Sequence, residues 1–339
     1  MDAKNTSEQM NNWLTLSKEE QIELFTQIGV KTNLLPQAVE KDAWVSLILR
    51  MIFTSELASH LIFKGGTSLS KAFNLIQRFS EDIDLGIDRK YLGFEGKLSN
   101  GEIRKLRRAC HAFVSNDLAE LLRKQLVEYG VDESLFELMV ENTQVSDQDP
   151  ETIKVNYQSV FGEISYLPKR VLIEVSARSL IEPNQEVGIK SLIDKHYPET
   201  DFVEGEFVVN ATNPQKTFLE KLILLHEEFE KPAEKIKYLR MSRHFYDIGQ
   251  ILDSEFGRKA IKNKELFESI INHRKVFTPI KTTNYETLTL QSLRIIPPDE
   301  HLGNYKSDYK EMQSSMIHGE SLDFDTLLKK IINELNLKI

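Results

Sequence analysis

FKGGTSLSKAF at residues 63–73 and RFSEDIDLGI at residues 78–87 are the two stretches that decide the expected fold. The apolar run at 60–63 predicts a short strand. The glycines after it predict a tight turn, followed by a helix that reaches about Leu75. The turn and the first helical residues are Lys64, Gly65, Gly66, Thr67 and Ser68.

The second stretch alternates between apolar and acidic residues, which predicts a strand buried on one side. Residues i and i+2 of a strand project to the same face, so Asp82 and Asp84 lie side by side. Two unpaired carboxylates repel each other, and Mg²⁺ relieves the repulsion because it binds one or two carboxylates together with substrate phosphates. Asp82 and Asp84 are therefore candidate metal ligands. The solvated face of an amphipathic strand gives the same pattern and is more common.

The turn before this strand offers an arrangement that suits phosphate. Gly65 and Gly66 allow the backbone to approach a ligand closely, and Thr67 and Ser68 can cap the helix or offer hydroxyl groups. Free N–H groups at a helix N-terminus bind anions. The spacing of a Walker A motif is absent, and a capped turn without any ligand is the alternative.

The composition is that of an ordinary globular protein, with 40% hydrophobic and 28% charged residues among 339. The one cysteine, Cys110, excludes an intrachain disulfide and a cysteine metal cluster; we expect it in the core, and we expect a cytoplasmic location. The net charge of −9 disfavours a general nucleic-acid binder but allows a local basic groove. The apolar run at 44–52 is too short to cross a membrane, and residues 1–13 carry no signal-peptide pattern.

Helical and strand patterns alternate in the front part of the chain, whereas the pattern after residue 205 is mainly helical. The expected front elements are helices at 36–57 and 101–130 and strands at 152–161 and 170–176. The expected later helices are at 214–230, 236–253, 259–275 and 321–337. The sequence thus predicts an α+β fold with domains at 1–205 and 206–339.

The two opening stretches resemble the AbiEii/AbiGii toxin family of nucleotidyltransferases, which belongs to the DNA polymerase β-like superfamily. Further blocks of the same family follow in the same order: EKDAWV at 40–45, TFLEKLILLHEEF at 217–229 and RMSRHFYDIG at 240–249. The resemblance covers residues 40 to 250. It implies a polymerase β-like nucleotidyltransferase domain whose active site is completed by a helical C-terminal domain.

Glu174 is the candidate third carboxylate. It lies between apolar residues of an expected strand, where a carboxylate is costly if it is buried without a partner. The resemblance implies that such a residue completes the metal site with Asp82 and Asp84 or acts as a base. A surface position, or an ion pair with Arg170 or Arg178, is the alternative.

Lys221 and Asp247 lie in expected helices of the later part. Lys221 lies at the edge of an apolar stripe, so a lysine that extends to solvent is one explanation. The resemblance implies instead that Lys221 reaches the triphosphate and that Asp247 belongs to a motif that shapes the active site. An ion pair between Asp247 and Arg243 is the simpler alternative, and His244 is expected to face elsewhere as a packing residue.

Two further sets of charges have no definite role in the sequence. Arg78 precedes the aspartate strand and either binds phosphate or is an ordinary surface arginine. Glu40, Lys41 and Asp42 lie near a helix start, where they are expected to be favourable helix-end charges.

The resemblance implies an Mg²⁺- or Mn²⁺-dependent enzyme that transfers a nucleoside monophosphate from a nucleoside triphosphate to RNA. The implied acceptor is a tRNA 3′ end. The implied biological role is growth arrest or phage defence, controlled by a cognate antitoxin. The alternatives are a nucleotidyltransferase for a small molecule or a protein, a non-catalytic nucleotide-binding subunit, and a kinase.

Overall fold

The computed structural model describes residues 12–141, 149–162 and 167–337. The expected absence of a signal peptide concerns residues 1–13, of which residues 1–11 lie outside the described residues. The helices are α1 (Lys18–Thr32), α2 (Pro36–Phe53), α3 (Gly65–Lys71), α4 (Asn100–Ala112), α5 (Ala119–Glu128), α6 (Leu192–His196), α7 (Pro214–Phe229), α8 (Ser242–Asp253), α9 (Glu255–Lys262), α10 (Lys264–Phe277), α11 (Asp299–Ser315) and α12 (Phe324–Leu335). The strands are β1 (Leu61–Lys64), β2 (Ile83–Ile87), β3 (Phe136–Glu141), β4 (Glu151–Tyr157), β5 (Arg170–Ser176), β6 (Asn184–Ile189) and β7 (Phe207–Thr212).

Seven strands form one mixed sheet in the order β3-β4-β5-β2-β1-β7-β6. β3, β4 and β5 pair antiparallel, whereas β2 pairs with β5 and β1 pairs with β7 in parallel. Helices before, between and after the strands, and the mainly helical segment after β7, confirm the predicted α+β class and its helical C-terminal region.

The chain forms two compact units that interleave along the sequence. The first unit comprises Met1–Leu61, Glu81–Ala177 and Glu186–Asn210, and the second comprises Ile62–Ser80, Arg178–Gln185 and Ala211–Ile339. The proposed boundary near residue 205 stays a prediction. In the part of the chain that the structure describes, no helix combines the length and the apolar character needed to cross a membrane.

Strands β2 and β5, which lie in the first unit, have one apolar and one polar face. Ile83, Leu85, Ile173 and Val175 are fully buried on one face, and α2 packs against β5. Asp84 of β2 and the alternate residues of β5 are half-buried on the other face, where Gly86 of β2 is buried. The alternation in the sequence therefore predicted correctly which side of each strand is buried.

The acidic and basic residues at the start of α2 are not helix-end charges, which corrects the expectation for Glu40, Lys41 and Asp42. Pro36 begins the helix, so these residues lie beyond its first turn, and Glu40 and Lys41 are 1% and 2% exposed. Glu40 accepts hydrogen bonds from the Ser159 hydroxyl and the Val160 amide.

The other two residues of this block also have partners distant in sequence. Lys41 pairs with Glu81 and donates to the carbonyl of Pro168 at 2.9 Å, and Asp42 accepts from the Leu192 amide at 2.9 Å. Three consecutive charged residues thus tie several loops of the first unit to α2.

The long helix expected at 101–130 is continuous but irregular. α4 is followed by a π-helical segment at Phe113–Leu118 and then by α5. Cys110 is buried at 1% exposure and lies 4.0 Å from the Val175 carbonyl, which confirms that it is a packing residue.

The second unit is a helical core around α7 and α8, which pack against each other. α8 also contacts α11 and α12, and Phe324 and Leu327 of α12 are buried there. The helix expected at 236–253 begins only at Ser242. Arg240 before it has a φ of 60°, in the left-handed region, which interrupts right-handed helical geometry.

Candidate active site

The glycine turn opens α3 in the second unit. Gly65 is the first helical residue and has a φ of 77°, which favours glycine. The helix therefore begins before Thr67 and Ser68, and no side chain caps it, contrary to the expected capping role of those residues. The Ser68 hydroxyl is buried and donates to the Gly65 carbonyl at 3.0 Å.

Gly66 is required because two side chains lie against it. A Cβ at this position would lie 2.6 Å from Nη2 of Arg78 and 2.9 Å from Oγ of Ser80. Thr67 is also tied to this segment, since its hydroxyl is 2.9 Å from that of Ser80. The residues just before the aspartate strand are therefore packed directly onto the turn.

Arg78 is not a surface arginine, because it is 3% exposed. Its Nε and Nη2 donate to the two carboxylate oxygens of Asp247 at 2.7 and 2.8 Å. Lys221 Nζ lies 3.0 Å from Oδ2 of the same carboxylate. Two cations therefore surround one fully buried anion, which leaves the group with a net positive charge.

This arrangement controls the charge of each member. Burial alone would raise the pKa of Asp247, yet Arg78 and Lys221 together hold that pKa below its ordinary range. Burial lowers the pKa of Lys221, and the Asp247 carboxylate opposes that effect. Asp247 is thus the counter-ion that helps Lys221 keep its proton in a desolvated position.

His244 lies beside Lys221, although the sequence placed it elsewhere. Lys221 Nζ donates to Nδ1 of His244 at 3.4 Å. Burial and the nearby charge of Lys221 lower the pKa of His244 well below its usual value, so the imidazole is neutral at pH 7. The neighbouring turn of the helix explains the contact, because His244 lies three residues before Asp247 on α8.

Lys216 is a buried cation that lies outside the sequence motifs. It is 1% exposed and donates to the Leu180 carbonyl, and burial is the main cause that lowers its pKa. The charge of Lys64 lowers that pKa further. Lys64 and Lys216 therefore place two more cations near the N-terminus of α3. No pattern in the sequence distinguished Lys216 from an ordinary helix lysine.

The candidate carboxylates lie in the first unit. Asp84 pairs in register with Glu174 across the parallel strands β2 and β5, and both side chains are half-buried on the polar face. Adjacent strands are about 4.8 Å apart, so the two carboxylates are neighbours. Thr152 of β4 stands on the other side of Glu174. Asp82 directly precedes β2.

The geometry suits a cation that takes part of its coordination from a substrate. Among the described residues, no three His, Cys, Asp or Glu side chains form a group that could hold a metal ion. Two neighbouring carboxylates nevertheless fit Mg²⁺, which commonly binds one or two carboxylates plus substrate phosphates. Asp82, Asp84 and Glu174 as a complete ligand set stay a prediction.

The comparisons with known proteins identify the class of enzyme. Residues 47–330 match the family model described as nucleotidyl transferase AbiEii toxin, type IV TA system. The chain therefore belongs to this family of nucleotidyltransferase toxins, which confirms the resemblance found in its motifs and the expectation that it is an enzyme.

A solved structure is also similar to the chain. It is that of MenT4, a nucleotidyltransferase toxin from Mycobacterium tuberculosis H37Rv, at 15% sequence identity and a TM-score of 0.49, covering 95% of this chain and 98% of that one. No curated protein matches the sequence.

Proposed function

We propose that the protein transfers a nucleoside monophosphate from a nucleoside triphosphate to an RNA acceptor, most simply a tRNA 3′ end, and releases pyrophosphate. The observation that carries this proposal is the register of Asp84 with Glu174 on adjacent parallel strands. Asp82 lies two residues before Asp84, at the entrance to the same strand. Grouped carboxylates of this kind suit phosphoryl chemistry that depends on a divalent cation.

The carboxylates of Asp82, Asp84 and Glu174 would hold Mg²⁺ or Mn²⁺ with the triphosphate. When bound, the cation neutralises charge that develops on the phosphate oxygens. Glu174 would also accept the proton of the attacking hydroxyl, since a carboxylate can act as the general base.

The glycine turn and two lysines would supply positive charge for the triphosphate. The backbone amides of Gly65, Gly66 and Thr67 are the first of α3, where the helix has no side-chain cap to compete with an anion. Lys221 would offset charge on the leaving phosphates, and Lys64 would add to that field.

Arg78 would act mainly by positioning other residues of the site. Two of its nitrogens are occupied by Asp247, and its Nη1 lies 3.4 Å from the Phe79 carbonyl. We therefore assign it the task of holding Asp247, and through it Lys221, more than that of a direct phosphate ligand.

The toxin family supports a role in growth arrest or phage defence, in the cytoplasm, with a cognate antitoxin as partner. Transfer of nucleotides to tRNA ends would stop translation and so account for toxicity. A protein or small-molecule acceptor would use the same donor chemistry, and the product that carries the α-label distinguishes these acceptors from RNA.

The test incubates the protein with total RNA, Mg²⁺ and each α-³²P-labelled triphosphate in turn. We expect label in an RNA of tRNA size with one triphosphate preferred. Asp84→Asn should reduce the rate by roughly 10²–10³-fold, because the carboxylate contributes to charge stabilisation in the transition state and individual groups of this kind contribute about that much.

Asp88→Asn is the matched control, since it makes the same charge change four residues further along and should leave the rate within about twofold. Label that appears in protein, or only from a γ-labelled triphosphate, would contradict the proposal.

A further inference from the structure

Residues 235–243, with the sequence KIKYLRMSR, form a basic segment of an otherwise acidic protein; it is called the basic loop here, although its last two residues, Ser242 and Arg243, already belong to α8. Four of these nine residues are Lys or Arg and none is Asp or Glu, whereas the whole chain carries a net charge of −9. Lys235, Lys237 and Arg240 are exposed, and the side chains of Tyr238 and Leu239 between them are 43% and 70% exposed. The loop thus presents cations on both sides of an exposed aromatic ring.

The backbone of this basic loop is fixed by residues of α7 and α11. Glu228 accepts from the amide of Lys237 at 2.7 Å, and the Tyr305 hydroxyl donates to the Lys237 carbonyl at 2.6 Å. Asp308 accepts from the amides of Arg240 and Ser242 at 2.6 and 2.9 Å. Because both ends are held, the exposed side chains project from a preorganised surface, which lowers the entropic cost of binding.

The basic loop leads directly into the helix that carries Asp247. Ser242 begins α8, and Asp247 follows five residues later, about 7.5 Å along the helix axis. Arg243, the last residue of the loop, is near enough to Lys221 and His244 to lower the pKa of both. A molecule bound to the loop would therefore lie close to the Lys221–Asp247 group.

We propose that the basic loop is the docking surface for the RNA acceptor. Lys235, Lys237 and Arg240 contact backbone phosphates, and an unpaired base stacks on the ring of Tyr238. Cations beside an exposed aromatic ring are the combination that binds single-stranded nucleic acid. The assignment rests on the proposed transfer to RNA and adds to it the surface that recognises the acceptor.

A protein partner fits this surface less well. The central parts of protein interfaces are apolar and depleted in lysine. Here the exposed apolar groups are two side chains, and charged residues flank them on both sides. The net charge of −9 repels a polyanion, so a polyanion has to be attracted by a local positive surface such as this loop.

The test measures binding of fluorescently labelled unfractionated tRNA, which serves as the probe, at several salt concentrations. Lys235→Gln/Lys237→Gln should raise the Kd about tenfold and reduce the slope of log K against log salt by about 1.5, as expected for two lost phosphate contacts. Tyr238→Ala should raise the Kd about tenfold, and Tyr238→Phe should restore it, because the ring face and not the hydroxyl is used.

Lys262→Gln/Lys264→Gln is the matched control, since it removes the same charge from exposed positions of the same unit and should leave tRNA binding unchanged. In label-transfer assays the loop variants should raise KM for tRNA at constant kcat and leave triphosphate affinity unaltered. If wild type and the double lysine variant bind tRNA with equal Kd and equal salt slope, the basic loop is not the docking surface for RNA. The same result is expected if the loop binds a protein instead, so that outcome also overturns the assignment.

The two proposals fail in different ways. If wild type transfers α-label to RNA but the loop variants behave like wild type, the docking surface is wrong and the transfer reaction stands. If tRNA binds through the loop but no label is transferred, the surface stands and the proposed reaction is wrong.

Discussion

Asp247 is the residue on which the charge balance of the second unit depends. Its carboxylate is fully buried and is shared by Arg78 and Lys221. Removal of one partner from such a group leaves a buried charge uncompensated and is strongly destabilising. The free-energy cost is larger than that of replacing the whole pair by apolar residues of similar volume. Lys221 and Arg78 are thus stabilised by one common anion.

We predict that Arg78→Ala lowers the free energy of unfolding by about 3–5 kcal/mol, because Asp247 then keeps Lys221 alone as its counter-ion. Arg78→Lys keeps the charge but loses the two-point contact, so we expect a loss of about 1–2 kcal/mol. Urea unfolding at pH 7 measures both. Arg123→Ala, at a half-exposed position, should change stability by less than about 0.5 kcal/mol, and an equally small effect of Arg78→Ala would show that the buried group is dispensable.

The same group predicts a dependence of stability on pH. The pKa of Asp247 is lowered in the folded state, so its contribution is fully present above the unfolded pKa of about 3.9 and is lost as the pH falls towards the lower folded pKa. The difference in stability between wild type and Arg78→Lys should therefore be constant from pH 7 to 5 and shrink between pH 4 and 2. A difference that grows on acidification would contradict this assignment.

At the scale of elements, α2 fixes the segment that leads into the aspartate strand. Lys41 is buried and bonds Glu81 and the Pro168 carbonyl, and Glu81 directly precedes Asp82. Lys41 therefore has a structural role, because it fixes the residue that directly precedes Asp82.

We predict that Lys41→Met destabilises the protein by about 3–5 kcal/mol, because the Glu81 carboxylate and a carbonyl lose their buried donor. The measurement is the midpoint of urea unfolding followed by circular dichroism. Lys18→Met at the exposed start of α1 is the control and should leave the midpoint unchanged. A stable Lys41→Met protein would mean that the Lys41–Glu81 pair is not needed to hold the loop.

The segment between α11 and α12 fixes the residues around Arg78 within the second unit. Arg78 and Ile317 form an antiparallel bridge, Phe79 donates to the Met316 carbonyl at 2.7 Å, and His318 donates to that of Gln77 at 3.0 Å. This segment lies beyond the sequence motifs, which end at residue 250, and it helps to place Arg78, which in turn contacts Asp247.

Gly319→Ala tests this contact, because a Cβ there would lie 2.9 Å from the Cβ of Gln77 and closer still to its amide. We expect a loss of about 1–3 kcal/mol in thermal or urea unfolding, partly recovered in the double variant Gln77→Ala/Gly319→Ala. Gly303→Ala is the control. It lies in α11 with open space around it and should stabilise the helix by roughly 0.5–1 kcal/mol. No effect at Gly319 would mean that the segment adapts easily.

At the scale of the whole molecule, the sequence predicted the elements that have strong patterns. β2 and β5 alternate cleanly, and α2 and α7 carry a proline near their first turn. α11 was missed because its buried face consists of only Tyr305, Tyr309 and Met312 in a polar sequence. β6 was missed because it begins with three polar residues and only its last residue, Ile189, is buried.

The candidate site was predictable in its residue types but not in its contacts. Arg78 and Asp247 are 169 residues apart, and no local pattern says that they meet. The need for glycine at Gly66 was anticipated, but the reason differs, because the space is filled by Arg78 and Ser80 of the same unit. Local spacing gives the chemistry of a motif, whereas the tertiary fold decides which groups neutralise one another.

The most direct test of nucleotidyl transfer uses intact tRNA and tRNA whose 3′-terminal diol has been destroyed by periodate, each with α- or γ-labelled triphosphate and Mg²⁺. Transfer to the 3′ end predicts α-label in intact tRNA only, one pyrophosphate released for each nucleotide added, and no γ-label in any product. Equal labelling of periodate-treated tRNA would contradict the 3′ end as acceptor, and transfer of the γ-label in place of the α-label would contradict nucleotidyl transfer itself.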